Sequence, residues 1–311
     1  MKHYLPYLAG IGVALTWGLS FMFTKGALDY ISTFHLLGLR FATAALTLAL
    51  LRLFKIIVFK LDLKDYLYLL PLSIFQPILY FAAENTGVML TSASYAGMMI
   101  AVIPIFVAVL SALILREYPN HIQAIFIAAS VSGVIFIVYM DSLSLAGINP
   151  LGTLSLLGAV IAAACYNIAS RKASKKYKPI EITWVMMLMG AVSFNLISLY
   201  QQFPAITPVD YLIPFKAVWL PVIYLGIAAS VCAFFLFNYV LSKVTATQGS
   251  VFANLVTVIA IAAGILFRDE IVRWYHLAGT ALVLLGVWGT NRFAQPPSHN
   301  GSEPVHSLCE K

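Results

Sequence analysis

Apolar residues along this chain fall in long blocks separated by short stretches that carry charges or turn residues. Blocks of about 20 residues recur, each long enough to cross a hydrocarbon core of about 30 Å as an α-helix. Backbone polar groups in lipid must be satisfied within the segment, which favours helices. The pattern therefore predicts an all-α integral membrane protein. Its ten predicted transmembrane helices lie at residues 6–26, 33–54, 66–86, 92–115, 122–140, 151–170, 180–200, 217–240, 246–267 and 275–293.

Composition excludes a water-soluble globule. Of the 311 residues, 61% are hydrophobic and 10% are charged, against roughly half apolar and about a quarter charged in an ordinary soluble domain. The first block is long and lacks a clear small-residue cleavage site, so we interpret it as a retained span rather than a signal peptide. Neither the cysteines nor the histidines show metal-ligand spacing. The sequence predicts no metal site and no cofactor.

The charge distribution predicts the orientation of the chain. The net charge is +7, yet the basic residues fall in loops, where they indicate topology rather than binding to nucleic acid. If the N-terminus is inside, the outer segments hold only Lys25, Lys216, Arg268 and Arg273, and the inner segments hold most of the other basic residues. We therefore expect a multi-pass protein of the cytoplasmic membrane with both termini in the cytoplasm.

One half of the chain repeats the other. An offset of 153 residues aligns Glu117 with Glu270 and Gly133 with Gly286 without a gap. Each unit carries five spans, and an odd number forces the second unit to enter the membrane from the opposite side. The fold class predicted is thus two five-helix repeats of inverted topology, as in secondary transporters. The units are residues 1–143 and 144–293, followed by a polar tail at 294–311 that we expect to be disordered.

Three motifs resemble a known family: "WGLSFMFTKGAL" from Trp17, "LRFATAALTLALL" from Leu39, and "TSASYAGMMIAVIPIFVAVLSALILRE" closing on Glu117. They resemble the EamA-type repeat of the drug/metabolite transporter superfamily. The resemblance covers about residues 5–293 and implies a ten-helix carrier with a central cavity, alternating access and export of small metabolites. The second copy has Thr257 where the first has Pro104. A proline-induced bend in the fourth span should then be absent or milder in the ninth.

Two ionisable residues lie within predicted spans. Glu84 is the single charged residue between Asp65 and Arg116 and falls near the outer end of the third span. It could bind a proton or a substrate amine, or it could be a helix-end acid in interfacial water. Arg40 lies about 12 Å into the second span and needs an acceptor. We consider an Arg40–Glu84 ion pair that holds the two spans together, and alternatively an arginine that binds substrate.

Polar and amphipathic residues within apolar spans are candidates for a substrate cavity, because buried amides and phenols turn away from lipid. Bonding between helices is the alternative for each. With Glu84, the cavity candidates are Trp17, Tyr80, Tyr95, Tyr166, Asn167, Asn238, Tyr239, Gln248 and Asn254.

Few charges lie inside the membrane, so phosphorylated substrates are disfavoured. The sequence predicts a secondary transporter for a small neutral or zwitterionic metabolite (amino-acid-like, purine-like or amphipathic and drug-like), with export as the expected direction. Its predicted partners are this substrate, the lipid bilayer and, as a candidate coupling ion, the proton. A membrane-embedded enzyme would need clustered catalytic groups, which the sequence lacks. A non-transporting scaffold would need no polar cavity.

Overall fold

The computed structural model describes residues 4–28, 30–90, 99–100, 102–142, 149–202, 215–268 and 273–293. Over this part of the chain the secondary structure is helical, with no β-strand. The α-helices are α1 (Leu5–Leu28), α2 (Thr33–Leu53), α3 (Leu63–Ser73), α4 (Tyr80–Leu90), α5 (Ile103–Leu110), α6 (His121–Ser142), α7 (Pro150–Ala173), α8 (Pro179–Gln202), α9 (Phe215–Ile223), α10 (Ala233–Lys243), α11 (Ala246–Ser250), α12 (Phe252–Arg268) and α13 (Trp274–Arg292). Three π-helical segments extend them: π1 (Ile74–Leu79) joins α3 to α4, π2 (Ser111–Leu115) follows α5, and π3 (Tyr224–Cys232) joins α9 to α10.

Several helices have the length and hydropathy needed to cross a bilayer. Five stretches meet both conditions: Thr33–Leu53, Leu63–Gly87, Pro150–Ala173, Pro179–Gln202 and Ala217–Lys243. Shorter apolar helical stretches cover Leu5–Ser20, Ile103–Leu115, His121–Phe136 and Ala246–Ile259. Large apolar side chains such as Leu46 and Leu113 point outward, with 61% and 73% of their surface exposed. An apolar exterior of this kind is suited to contact with lipid.

Helices of the first half pack mainly against helices of the second half. α2 packs along α8, and α6 packs along α13. α1 contacts α12 and α10, while α7 contacts α4 and α5. The largest buried apolar cluster lies between the halves and includes Phe41, Tyr166, Phe194 and Phe234. The two halves are therefore interleaved rather than placed side by side.

Two of the π-helical segments occupy matching positions in the two halves. Gln76 within π1 has φ −148° and ψ 122°, outside the helical region, and Pro71 and Pro77 lie beside it. Proline removes a backbone donor and disturbs the preceding turn, and π3 likewise follows Pro221. The offset of 153 residues places Ile74–Leu79 on 227–232, inside π3. The corresponding helices thus change from α- to π-helical winding at matching positions in the two halves.

The fourth and ninth spans can be compared at Pro104 and Thr257, the two residues that the offset of 153 aligns. Pro104 lies in the first turn of α5, where proline is tolerated. Residues 91–98 and 101 before it lie outside the described part of the chain, so the predicted bend of the fourth span stays a prediction. Thr257 lies inside the continuous helix α12, as expected for a residue without proline's constraint. The ninth span is nevertheless interrupted, at Val251 between α11 and α12. The two-repeat sequence pattern does not predict this break, which needs no proline.

Gly286 sets the distance between α13 and α6. A Cβ atom at this position would lie 2.6 Å from the carbonyl oxygen of Phe126 and 2.6 Å from the backbone nitrogen of Ser130. On the facing helix, a Cβ at Gly133 would lie 2.7 Å from the carbonyl oxygen of Gly279. Backbone atoms cannot move aside as a flexible side chain can. Small residues on both helices therefore allow close backbone contact.

We expect Gly286→Ala to lower the thermal midpoint of the purified protein, because overpacking costs about 1–3 kcal/mol of unfolding free energy. The matched control is Gly158→Ala in α7, where an added Cβ meets no atom within 4 Å. There alanine should be neutral or stabilising, since it favours a helix by about 1 kcal/mol over glycine. Tryptophan fluorescence during heating measures the thermal midpoint of each variant. Equal midpoints for the two variants would contradict the tight α6–α13 contact.

Candidate functional site

Arg40, Tyr80, Glu84 and Ser230 form what we call the central polar cluster, contributed by α2, α4 and π3. Arg40 is only 6% exposed, and its Nε donates a hydrogen bond to Ser230 Oγ at 2.8 Å. Its guanidinium carbon lies 4.9 Å from the centroid of the Phe81 ring and 5.4 Å from that of Phe41. The guanidinium group is thus bonded along one edge and placed against aromatic rings, a geometry that favours arginine over lysine.

A close approach of α2 to π3 produces this contact. Gly226 lies one helical turn before Ser230, and a Cβ there would lie 3.0 Å from the carbonyl oxygen of Arg40 and 2.8 Å from Thr43 Cβ. The absence of a side chain at Gly226 lets the two backbones approach. Arg40 therefore meets the hydroxyl on π3 instead of extending to a more distant acceptor.

Glu84 is held by a residue of its own helix. The Tyr80 hydroxyl donates to Glu84 Oε1 at 2.9 Å, as the spacing of four residues on a helix permits. Arg40 and Glu84 lie close enough to interact electrostatically. For the residues that the structure describes, however, the ion pairs within 4.0 Å are Arg171–Glu117 and Lys176–Asp65. The predicted direct Arg40–Glu84 contact is therefore not formed, because Ser230 and Tyr80 take the two side chains.

The central polar cluster keeps bonding capacity that the described residues do not use. A guanidinium has five N–H donors, and the structure describes one hydrogen bond from Arg40, to Ser230. One bond, from Tyr80, reaches the carboxylate of Glu84 within the described part of the chain. Next to it, Asn85 Nδ2 is buried without a partner among these residues. The guanidinium donors of Arg40 and the carboxylate oxygens of Glu84 are thus both available within one cluster.

Trp17 borders the central polar cluster from α1. Its Nε1 donates to the carbonyl oxygen of Ala229 at 2.9 Å, next to Ser230 on π3. Its ring lies 5.1 Å from Phe234 and 5.3 Å from Phe237, measured between centroids. The indole is only partly buried. Trp17 therefore stays a cavity candidate at the edge of the cluster.

A second polar group, around Asn238, joins three helices. Asn238 Oδ1 accepts from the Tyr166 hydroxyl at 2.8 Å and from Ser170 Oγ at 2.6 Å. Its Nδ2 donates to Thr183 Oγ1 at 3.1 Å. Asn167 Nδ2 bonds within its own helix to the carbonyl oxygen of Ala163. Since Asn238, Tyr166, Ser170 and Thr183 are buried and bonded to one another, their geometry favours bonding between α7, α8 and α10 over a substrate cavity. Asn167 Oδ1, by contrast, is buried without a partner among the described residues.

Gln248, Asn254 and Tyr239 lie apart from the central polar cluster. Gln248 Oε1 accepts from the backbone N–H of Thr245 and caps α11. Asn254 Nδ2 donates to Ser130 Oγ at 3.0 Å, which links α12 to α6. Tyr239 lies at a pocket near the end of α10. Tyr95 lies outside the described residues. The structure therefore brings together Tyr80, Glu84 and Arg40, with Trp17 beside them.

Glu117 connects the two halves at one end of the bundle. Its Oε1 accepts from Arg171 Nε at 3.0 Å, and its Oε2 accepts from the backbone N–H of Ala246 at 3.2 Å. Arg171 Nη1 also donates to the carbonyl oxygen of Leu241 at 3.0 Å. We call these four residues the end clamp. Glu117 thus caps the first turn of α11.

The end of the bundle that carries the end clamp also carries most loop lysines and arginines, so we call it the basic end. Other contacts join the halves there. Asn120 Nδ2 donates to the carbonyl oxygen of Phe293 at 2.6 Å, and the Tyr177 hydroxyl donates to Asp65 Oδ1 at 2.7 Å. The halves are thus in direct contact across the basic end.

Sequence reasoning missed three residues that the structure places at these sites. Ser230 and Phe81 complete the surroundings of Arg40, and Arg171 pairs with Glu117. The only signal for Ser230 was a small polar residue in an apolar span. Arg171 was counted as a loop charge, although its position at the end of a span could have indicated a partner on another helix.

Comparison with known proteins gives a consistent result. The model of the EamA-like transporter family matches this chain twice, at residues 5–139 and 150–292. The chain is 36% identical to the uncharacterized transporter YcxC of Bacillus subtilis (strain 168), an alignment that covers 92% of each chain. It is 29% identical to an uncharacterized transporter of Archaeoglobus fulgidus, over 89% of this chain and 96% of the relative. A protein of known crystal structure has the same fold, with a TM-score of 0.75 at 16% identity over 92% of this chain and 98% of the other.

Proposed function

We propose that this chain, which belongs to the EamA-like transporter family, is a secondary active transporter that exports a small neutral or zwitterionic metabolite across the cytoplasmic membrane. The family and its relatives make the chain a membrane transporter and not an enzyme. One observation carries the choice of substrate. A buried arginine and a carboxylate lie together inside the bundle with unused hydrogen-bonding capacity among the described residues.

The chemistry of the central polar cluster suits a ligand that carries both charges or strong hydrogen-bonding groups of both kinds. Arg40 can bind a carboxylate or a carbonyl, and Glu84 can bind an amine or an N–H group. The rings of Phe81, Phe41 and Trp17 offer apolar and aromatic surface to the rest of the ligand. Amino-acid-like and purine-like compounds meet these requirements. A phosphorylated substrate would need more cations than the cluster supplies.

Alternating access would follow from two repeats of inverted topology, residues 1–143 and 144–293, each with five transmembrane helices. The pairing of helices across the halves and the matching positions of π1 and π3 support this arrangement. The excess of lysine and arginine favours a cytoplasmic location for the basic end. The end clamp would then keep the cytoplasmic side shut while the central polar cluster faces outward. Export is the direction that the resemblance implies, and the proton is the candidate coupling ion.

The test uses purified protein in liposomes, with ligands first identified by thermal shift from a library of neutral and zwitterionic metabolites. We expect Arg40→Gln to weaken ligand binding by at least about tenfold, because a hydrogen bond to a charged group contributes about 1.5–3 kcal/mol. The matched control is Arg52→Gln on the same helix. Arg52 lies near the basic end, where it stacks on Phe59.

Arg52→Gln should change binding less than twofold, a bound set by the small effect of surface substitutions. If Arg40→Gln binds and transports the same compounds as well as the wild type does, the central polar cluster is not the substrate site. If no compound in the library is concentrated by the wild-type protein, the proposed substrate class is wrong.

A further inference from the structure

An open pocket lies at the basic end, where the loop between α7 and α8 meets the end of α10. Its volume is about 380 Å³, and the described residues that line it include no acidic side chain. The lining contains four lysines and four hydroxyl residues: Lys175, Lys176, Lys178, Lys243, Ser174, Tyr177, Tyr239 and Ser242. The hydroxyls of Tyr177 and Ser242 already donate, to Asp65 and to the carbonyl oxygen of Tyr239. We call this the lysine pocket. Its lining attracts an anion.

The acidic residues nearest the lysine pocket already have partners. Asp65 accepts from the Tyr177 hydroxyl at 2.7 Å and from Lys176 Nζ at 3.4 Å. Glu181 accepts the backbone N–H of Lys178 at 2.8 Å. The hydrogen bond with the Tyr177 hydroxyl raises the pKa of Lys176, an ammonium group that is charged at neutral pH even at its ordinary pKa. Positive charge therefore remains in excess around the pocket.

A hydroxyl group in the lysine pocket lacks a partner. Ser174 Oγ is buried and forms no hydrogen bond with the residues that the structure describes. Lys243 Nζ lies 6.0 Å from the centroid of the Tyr239 ring. The four ammonium groups that line this one pocket match the several acceptor oxygens of a phosphate group. A single carboxylate would leave more of these donors unsatisfied.

We propose that the lysine pocket binds the phosphate of an anionic phospholipid headgroup. The pocket opens where α7 and α10 end and α8 begins, at the level where membrane helices reach the headgroups. Basic pockets between helices on the cytoplasmic side bind such headgroups in other membrane proteins. The lipid would hold the loop after α7 against the end of α10, next to the end clamp. This site lies apart from the central polar cluster, and the inference does not depend on the identity of the substrate.

The test compares wild-type protein with the triple variant Lys175→Gln, Lys178→Gln, Lys243→Gln. Lys176 is retained because it bonds to Asp65. The matched control, Lys55→Gln, Lys60→Gln, Lys64→Gln, removes the same charge from exposed lysines, two in the loop between α2 and α3 and one in the first turn of α3. Each protein is titrated in detergent with phosphatidylglycerol or phosphatidylcholine, and retained lipid is counted by native mass spectrometry. Inorganic phosphate and glycerol 3-phosphate form a separate arm.

We expect phosphatidylglycerol retention to fall at least about tenfold in the pocket variant, given the contribution of each lysine near an anionic surface. The control variant and the wild type should retain it equally and prefer it to phosphatidylcholine. Equal losses in both triple variants would overturn the pocket in favour of a diffuse charge effect. Displacement of the lipid by millimolar inorganic phosphate would overturn the lipid headgroup in favour of a soluble phosphate. Transport activity is a separate readout, so failure here leaves the proposed function intact.

Discussion

Glu84→Gln is expected to abolish accumulation of the substrate against its gradient while exchange between the two sides continues. Glutamine keeps the acceptor oxygen that the Tyr80 hydroxyl bonds to, so the local geometry should survive. It cannot bind and release a proton, however, and a proton-coupled cycle needs a group that does. A gradient of one pH unit supplies about 1.4 kcal/mol per proton, enough for up to about tenfold accumulation. The variant should only equilibrate its substrate.

The measurement uses liposomes with an imposed pH gradient and a clamped membrane potential, and follows labelled substrate identified as above. Glu181→Gln is the matched control. Glu181 caps the start of α8 through the backbone N–H of Lys178, an interaction that glutamine also makes. That variant should accumulate substrate like the wild type. If Glu84→Gln still concentrates substrate tenfold, Glu84 is architectural and the coupling group lies elsewhere.

Loss of the end clamp should destabilise the protein and open its basic end. Glu117→Ala removes the partner of Arg171 and the cap of Ala246 together. The side chains of the pair are only 9% and 15% exposed, so water replaces these bonds poorly. A charge-assisted hydrogen bond contributes about 1.5–3 kcal/mol, and each kcal/mol shifts a thermal midpoint by about 2–4 °C. We expect a fall of about 5 °C or more in the midpoint.

The control for the end clamp is the second ion pair, Lys176–Asp65, whose lysine side chain is 63% exposed. Exposed pairs contribute about 0–1 kcal/mol, so Lys176→Gln should shift the midpoint by at most about 4 °C. Opening is measured separately, by the rate at which an impermeant thiol reagent labels a cysteine introduced near Leu241. Faster labelling in Glu117→Ala, with no change in Lys176→Gln, is the expected result. Equal labelling in both variants would show that the end clamp does not close the basic end.

The sequence predicted the helical architecture because the backbone polar groups of a long apolar block in lipid must be satisfied within that block, as a helix does. The depth of Arg40 and its need for an acceptor were also predictable, and the structure supplies Ser230 as that acceptor. Which acceptor Arg40 meets depends on the approach of α2 to π3 at Gly226, a long-range contact that no local pattern encodes. The Tyr80–Glu84 bond could have been found from their spacing of four residues.

Other features of the site depend on packing between distant segments. The amide of Asn238 is satisfied by Tyr166 and Thr183, which lie on two other helices. A sequence shows that such an amide needs partners, but it does not tell whether they belong to the protein or to a ligand. The same ambiguity explains why the cavity candidates included both Asn238 and Tyr80, although the structure places them in different groups.

The π-helical segments π1 and π3 each divide a helix into two segments, and the winding at π1 or π3 sets how these segments are placed relative to each other. Tyr80 and Glu84 follow π1 on the side away from the basic end. Arg40 is anchored to π3 itself through Ser230. A change in helical winding at π1 and π3 would therefore alter the distance between Arg40 and Glu84. The helical segments nearer the basic end would keep their register. Under the proposed alternating access, ligand affinity would then change before the basic end opens.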